Sequence, residues 1–126
     1  MGVTREEVEI YLSEVFESIH AGRYQIAIRP KNQELYIDYV FGDNDAKSVL
    51  LSLTPEDFSD AVQNEHQNHP EEVLFIFGKD VMLIPRYDGA DEKNVSLYIK
   101  INKLENKYLF VISLHKQEYP LRYRFK

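Results

Sequence analysis

Apolar residues recur at helical spacing near the N-terminus and gather into strand-length runs toward the C-terminus, with the change of period near residue 70. Thr4-Arg5-Glu6-Glu7 has the form of a capping box, in which the Thr hydroxyl and the Glu carboxylate three residues on satisfy each other's backbone donors. Val8, Tyr11, Leu12, Val15, Phe16 and Ile19 then form one apolar stripe, and Gly22 is a plausible stop, so a helix is expected over 4–20. Glu6, Glu9, Glu14 and Glu17 fall on its solvated side. Residues 24–29 alternate and predict a strand that Pro30 ends. Residues 32–40 admit two readings, because Asn32 could cap a short helix while Leu35 to Val40 is rich in strand formers.

Asp43, Asn44 and Asp45 form a turn and cap cluster ahead of a helix expected over 46–53. Thr54-Pro55-Glu56-Asp57 repeats the start signal with Pro at the first helical position, and a single short turn is expected through Phe58. The polar stretch 63–70 reads as a loop. Strands are expected at 73–77, closed by Gly78, at 95–101 and at 108–115, with turns at 87–91 and at Glu105-Asn106. Residues 119–125 are read as a last edge strand. Helices followed by a run of adjacent strands predict one α+β domain over 1–126, with N-terminal helices packed on one face of a mainly antiparallel sheet.

Charge changes this picture along the chain. The net charge of −6 argues against a polyanionic partner. Residues 1–72, however, hold 5 Lys/Arg against 15 Asp/Glu, a balance of −10, whereas residues 95–126 hold 7 against 2, a balance of +5. The C-terminal part thus carries the charge that a phosphate ligand requires. The absence of cysteine excludes thiol nucleophiles, disulfide frameworks and cysteine-rich zinc sites. No apolar run approaches the roughly 18 residues of a membrane span, and no leader pattern opens the chain, so a cytoplasmic protein without a membrane partner is expected. No phosphate-binding glycine loop, dinucleotide fingerprint or nucleophile elbow occurs. His66 and His69 lie in the polar loop without a carboxylate–histidine pattern of a metal centre, and neither a metal nor another cofactor is expected.

Strand parity selects candidate residues for chemistry. Tyr98 and Lys100 share one face of their strand, opposite Leu97, Ile99 and Ile101. Val111, Ser113 and His115 are expected on one face of the next strand, and Phe77 and Lys79 on one face of the earlier one. One sheet face is therefore expected to gather Tyr98, Lys100, His115 and Lys79, while Arg122 and Arg124 alternate on one side of the final segment. This set suits metal-independent RNA cleavage, which needs a base for the ribose 2′-OH, cations around the phosphorane and an acid for the leaving 5′-oxygen. Histidine serves either proton role, and tyrosine stacks on a base or orients a proton. A solvated sheet surface without chemistry shows the same residue types.

Read as a string, Phe75-Ile76-Phe77-Gly78-Lys79, Leu97-Tyr98-Ile99-Lys100-Ile101, Ile112-Ser113-Leu114-His115 and Glu118-Tyr119-Pro120-Leu121 resemble the Gram-positive branch of the MqsR family of toxin–antitoxin ribonucleases. The Leu53-Thr54-Pro55-Glu56-Asp57-Phe58 segment is similar to that family's Leu-x-x-x-Asp-aromatic motif. The resemblance implies a RelE-like α+β fold, a metal-free messenger-RNA endoribonuclease, an RNA substrate and a cognate antitoxin that neutralises it. It assigns catalysis to His115, Lys79 and Tyr98, and RNA binding is expected at Lys100, Arg122 and Arg124. The chain departs from the family in having Phe75 for Trp, Leu114 for Phe, and Ser59-Asp60 where some members carry a Lys. The stretch 82–93 is also longer than the family leads one to expect. The rival expectation is a non-catalytic, protein-binding regulatory module of a mobile element that keeps the toxin-like fold and offers its acidic N-terminal helix to a partner.

Overall fold

The structure, a computed structural model, describes residues 2–87 and 91–126. Among them are three helices, α1 (Arg5–His20), α2 (Pro30–Asp38) and α3 (Asp43–Leu51), and a short 3-10 turn, Pro55–Asp57. Five strands complete the domain: β1 (Tyr24–Ile26), β2 (Phe58–Gln63), β3 (Val73–Leu83), β4 (Lys93–Lys103) and β5 (Leu109–Lys116). They form one mixed sheet in the order β1-β5-β4-β3-β2. Three of its pairings are antiparallel, and β1 lies parallel to β5. The α+β class with N-terminal helices is as expected. No helix among the described residues is long and apolar enough to cross a membrane.

The capping box closes α1 as read from the sequence: Glu7 N donates to Thr4 Oγ1 at 3.1 Å and Thr4 N to Glu7 Oε1 at 3.3 Å. Its stripe of Val8, Leu12, Val15 and Ile19 packs with Ala46 and Leu50 of α3 over Phe77, Leu97, Ile99, Ile101, Val111 and Leu114 of the sheet. These side chains are all but fully removed from water, and at roughly 25 cal/mol per Å² of apolar surface their burial is the main source of stability. The ring of Tyr11 stacks on Phe75 with centroids 3.7 Å apart.

Several elements differ from expectation. The strand at 24–29 is only three residues long, and Pro30 opens α2 rather than merely ending a strand, since its fixed φ suits the first helical position. That settles 32–38 as helix, and Tyr39 beyond it is extended and bridges to Pro85. Asn32 is not its cap but lies inside it, 1% exposed. α3 begins three residues early, where Gly42 N donates to the Asp45 carboxylate at 2.8 Å. After the 3-10 turn the chain becomes strand β2, hidden from a sequence reading because Ser59 shifts its register and breaks the alternation. Gly78 does not close β3, which continues to Leu83. The turn expected at 87–91 includes residues 88–90, which lie outside the described residues.

Residues 119–125 form no strand. They follow Gln117, whose amide donates to the Leu97 carbonyl at 3.0 Å, and pass over β3 on the sheet face away from α1. A Cβ at Gly78 would run into the Tyr123 hydroxyl and would lie 2.9 Å from both Gln117 Nε2 and Leu121 Cδ1. Glycine is needed in mid-strand because another stretch of chain sits on it. The strap ends at β2, where Arg124 N donates to the Phe58 carbonyl at 3.2 Å and Phe125 packs on Phe58 with centroids 5.8 Å apart.

The parity expected for β5 also fails. Lys100 pairs with Ser113 but Ile101 with Val111, so Ile112 is an extra residue in β5. Val111 and Leu114 consequently both enter the core, while Ser113 and His115 turn to the opposite face. The bulge is held by Asn32, whose Oδ1 accepts from Leu114 N at 2.9 Å while its Nδ2 donates to the carbonyls of Ile112 at 3.0 Å and Ala27 at 2.9 Å.

Two stability predictions follow from these contacts. Asn32→Ala removes the partner of the buried Leu114 N–H and one donor each from the Ala27 and Ile112 carbonyls, the latter keeping Arg29, and should lower unfolding stability by about 3 kcal/mol, read from the urea midpoint at constant slope. Gly78→Ala should cost about 1–3 kcal/mol and release the strap, read as faster proteolysis after residue 117 while the remaining domain survives.

A candidate phosphate-binding active site on the open sheet face

The face of β4 and β5 that turns away from α1 carries Tyr98 and Lys100 beside His115 and Ser113. Tyr98 and His115 sit directly opposite each other, their rings stacked with centroids 5.2 Å apart and 13° between planes. Lys100 lies one pleat further along, opposite Ser113. Arg29 and Lys31, from the entrance and first turn of α2, and Glu118 and Tyr119, from the strap, rim these four residues to form a cleft of about 250 Å³.

The electrostatics follow from this grouping. Lys100 is only partly exposed, and burial followed by the nearby Arg29 charge lowers its pKa below the ordinary lysine value. Burial raises the pKa of the Tyr98 hydroxyl, helped by Tyr119 and the Glu118 charge, so it keeps its proton further into the alkaline range. Glu118 bonds to Lys31, and that bond together with the Lys31 charge, with a smaller effect of His115, holds its carboxyl below the usual range. His115 Nδ1 lies 2.8 Å from the Lys116 carbonyl. A carbonyl only accepts, so Nδ1 carries the hydrogen, and in the neutral ring the lone pair is on Nε2. Arg29 Nη1 reaches the Ile112 carbonyl at 3.3 Å and Ser113 Oγ at 3.5 Å.

Of the residues selected from sequence, Tyr98, Lys100 and His115 come together. Lys79 does not join them. It pairs with Leu97, a core position, so its side chain leaves the sheet on the helix side. There its ammonium bonds Asp57 Oδ2 and the Ser52 carbonyl, both at 3.1 Å. The expectation failed because Tyr98 faces Gly78 across the ladder, not Lys79. Arg122 is exposed on the strap, outside the residues lining the cleft. Arg124 pairs with Asp60, and its guanidinium lies 5.8 Å from the Phe58 ring centre.

Arg29, Lys31, Glu118 and Tyr119 were not singled out from sequence. Arg29 and Lys31 belong to the acidic half, so regional charge hides them. The Pro30 between them was the available signal, because it starts a helix that must pack somewhere. The loop between β2 and β3 holds a second grouping: His69, Glu71 and Glu72 each offer a ligand atom within 4.8 Å of the others. One Glu72 oxygen there already accepts from Asn64 at 3.2 Å and Asn102 at 2.9 Å. His66, whose ring centre lies 5.6 Å from that of His69, accepts from Asn68 N at 3.1 Å.

No protein-family model matches the chain, and no curated protein matches it significantly.

The placement of Lys79 makes a direct prediction. Lys79→Met should cost about 2 kcal/mol, between the values for exposed and buried ion pairs, by leaving Asp57 unpaired. The NMR ring signals of Tyr98 and His115 should stay where they are. A change in those signals would return Lys79 to the site.

Proposed function

We propose that the protein is a metal-independent endoribonuclease related to the RelE-like toxins of the MqsR family, acting on RNA at the cleft around His115. The observation that carries this reading is the stacked Tyr98–His115 pair with Lys100 one pleat away, all on one open sheet face. In the reaction, the ribose 2′-oxygen attacks phosphorus and the bond to the 5′-oxygen breaks, leaving a 2′,3′-cyclic phosphate and a 5′-hydroxyl. His115 Nε2 takes the 2′-OH proton, and its Nδ1–H, held by the Lys116 carbonyl, fixes the ring for that role. Lys100 stabilises the charge on the phosphorane. Tyr98, which retains its proton, supplies one to the leaving 5′-oxygen. Lys79 serves the fold in this scheme, and Arg122 on the strap lends positive charge to an approaching strand. A cognate antitoxin in the same cytoplasm belongs to this reading, and the acidic outer face of α1 is the surface for it.

A second reading, a non-catalytic protein-binding module, is favoured by one observation. Lys31 and Lys79 are each already paired with a carboxylate, so neither presents an uncompensated charge to a phosphate.

Cleavage of a single-stranded RNA by the purified protein should survive a chelator. His115→Ala should slow it by about 10²–10⁴-fold, the usual worth of one positioned proton-transfer group. Tyr98→Phe should slow it by a factor of the same order, since it removes the acid while the ring stack persists. A protein that captures a partner but never cuts RNA, with the His115 variant indistinguishable from the parent, decides for the second reading.

A further inference from the structure

Three cations and one carboxylate converge on the cleft: Arg29, Lys31 and Lys100 against Glu118. Among the described residues neither Arg29 nor Lys100 has an ion pair, although the two lie close enough for Arg29 to disfavour the charge on Lys100. Like charges held together in a part-buried cleft raise the local potential for an anion. Glu65 attracts Lys100 without forming an ion pair, whereas Glu118 is bonded to Lys31 on the rim, and the side chains of that pair are more than half exposed, at 56% and 59%. An exposed pair of this kind is worth little and exchanges readily. Beside it Tyr119 is 65% exposed, with its ring available as a stacking platform.

We propose that the cleft seats one phosphodiester of a single-stranded nucleic acid among Arg29, Lys31 and Lys100, with the adjoining base on Tyr119, and that Glu118 occupies Lys31 until the phosphate displaces it. This deepens the ribonuclease reading and rests on it for the choice of RNA as the natural strand. Seating the phosphate frees Glu118 and exposes it to a second negative charge, so the strap segment carrying Glu118 and Tyr119 shifts as the strand binds. Ser113 Oγ, next to Arg29, is placed to donate to the same phosphate.

The test uses a fluorescein-labelled single-stranded DNA oligonucleotide, which lacks the 2′-OH and so reports binding without cleavage. Anisotropy titrations compare the parent with Arg29→Ala, Tyr119→Ala and Glu118→Gln. Glu17→Gln is the control, making the same change in net charge on α1, behind the sheet. Arg29→Ala should weaken binding and reduce the slope of log affinity against log salt by about 0.7, the value for one single-strand phosphate contact. Tyr119→Ala should weaken it at least about fivefold. Glu118→Gln should tighten binding several-fold beyond Glu17→Gln. The proposal is overturned if Glu118→Gln is no tighter than the control, if Arg29→Ala leaves affinity and salt slope unchanged, or if neither the parent nor Glu118→Gln binds. The expected binding changes in a protein that cuts no RNA would uphold this site and refute the nuclease reading. RNA cleavage with binding indifferent to Arg29 and Glu118 would do the reverse.

Discussion

The side chain of Asn32 takes the place of a strand. β1 pairs with β5 only as far as Ile26 and Val111, and beyond that point the edge of β5 has no strand beside it. Asn32 reaches in from α2 and satisfies Leu114 N and the Ile112 carbonyl, closing the extra residue of β5 into a stable bulge. A buried polar side chain is costly unless its groups are bonded, and both ends of this amide are. The bulge reverses the parity of β5. Without it Val111, Ser113 and His115 would point the same way and Leu114 would face outward. With it, Leu114 completes the core and His115 stands against Tyr98. One hydrogen-bonded amide thus couples the packing of the domain to the make-up of its cleft.

The same link brings charge to the cleft. Arg29 and Lys31 lie just before Asn32 in sequence, so the contact that docks α2 on β5 also delivers two cations to the rim of the open face. The acidic half of the chain therefore contributes to a basic site, and net charge by segment is a poor guide to charge by surface. Glu118 and Tyr119 arrive from the other direction, on a strap that crosses the face at Gly78 and is anchored where Phe125 meets Phe58. The cleft is thus walled by two segments whose positions are each set by a close backbone contact.

The two lysines expected on one sheet face show how much the ladder decides. Lys79 and Lys100 both sit in aromatic-rich strands, yet the register pairs Lys79 with Leu97 and Lys100 with Ile76, on opposite faces. Lys79 enters the layer between sheet and helices and neutralises Asp57, which itself accepts from Thr54 N at 2.9 Å and so closes the 3-10 turn ahead of β2. Asp60, in the strand that follows, is taken by Arg124. These ion pairs tie the strap and the helix layer to the β2 edge.

The sequence by itself determined α1, down to both bonds of its capping box, because caps and helical periodicity are local. It also determined the α+β class and the residues of β4 that face out, since an unbroken strand alternates strictly. It left 32–40 open, hid β2 and misassigned the strap. Only the tertiary structure decided those, through contacts between residues 19 to 82 positions apart. Asn32 on Leu114 makes the bulge, Phe58 opposite Phe77 makes a strand of a polar segment, and Tyr123 over Gly78 turns an apparent edge strand into a cover. The irregularities in β2 and β5 each insert one residue into an alternating pattern, and the strap covers a face that alternation alone leaves open. Parity cannot be read through such a defect until its partner is known.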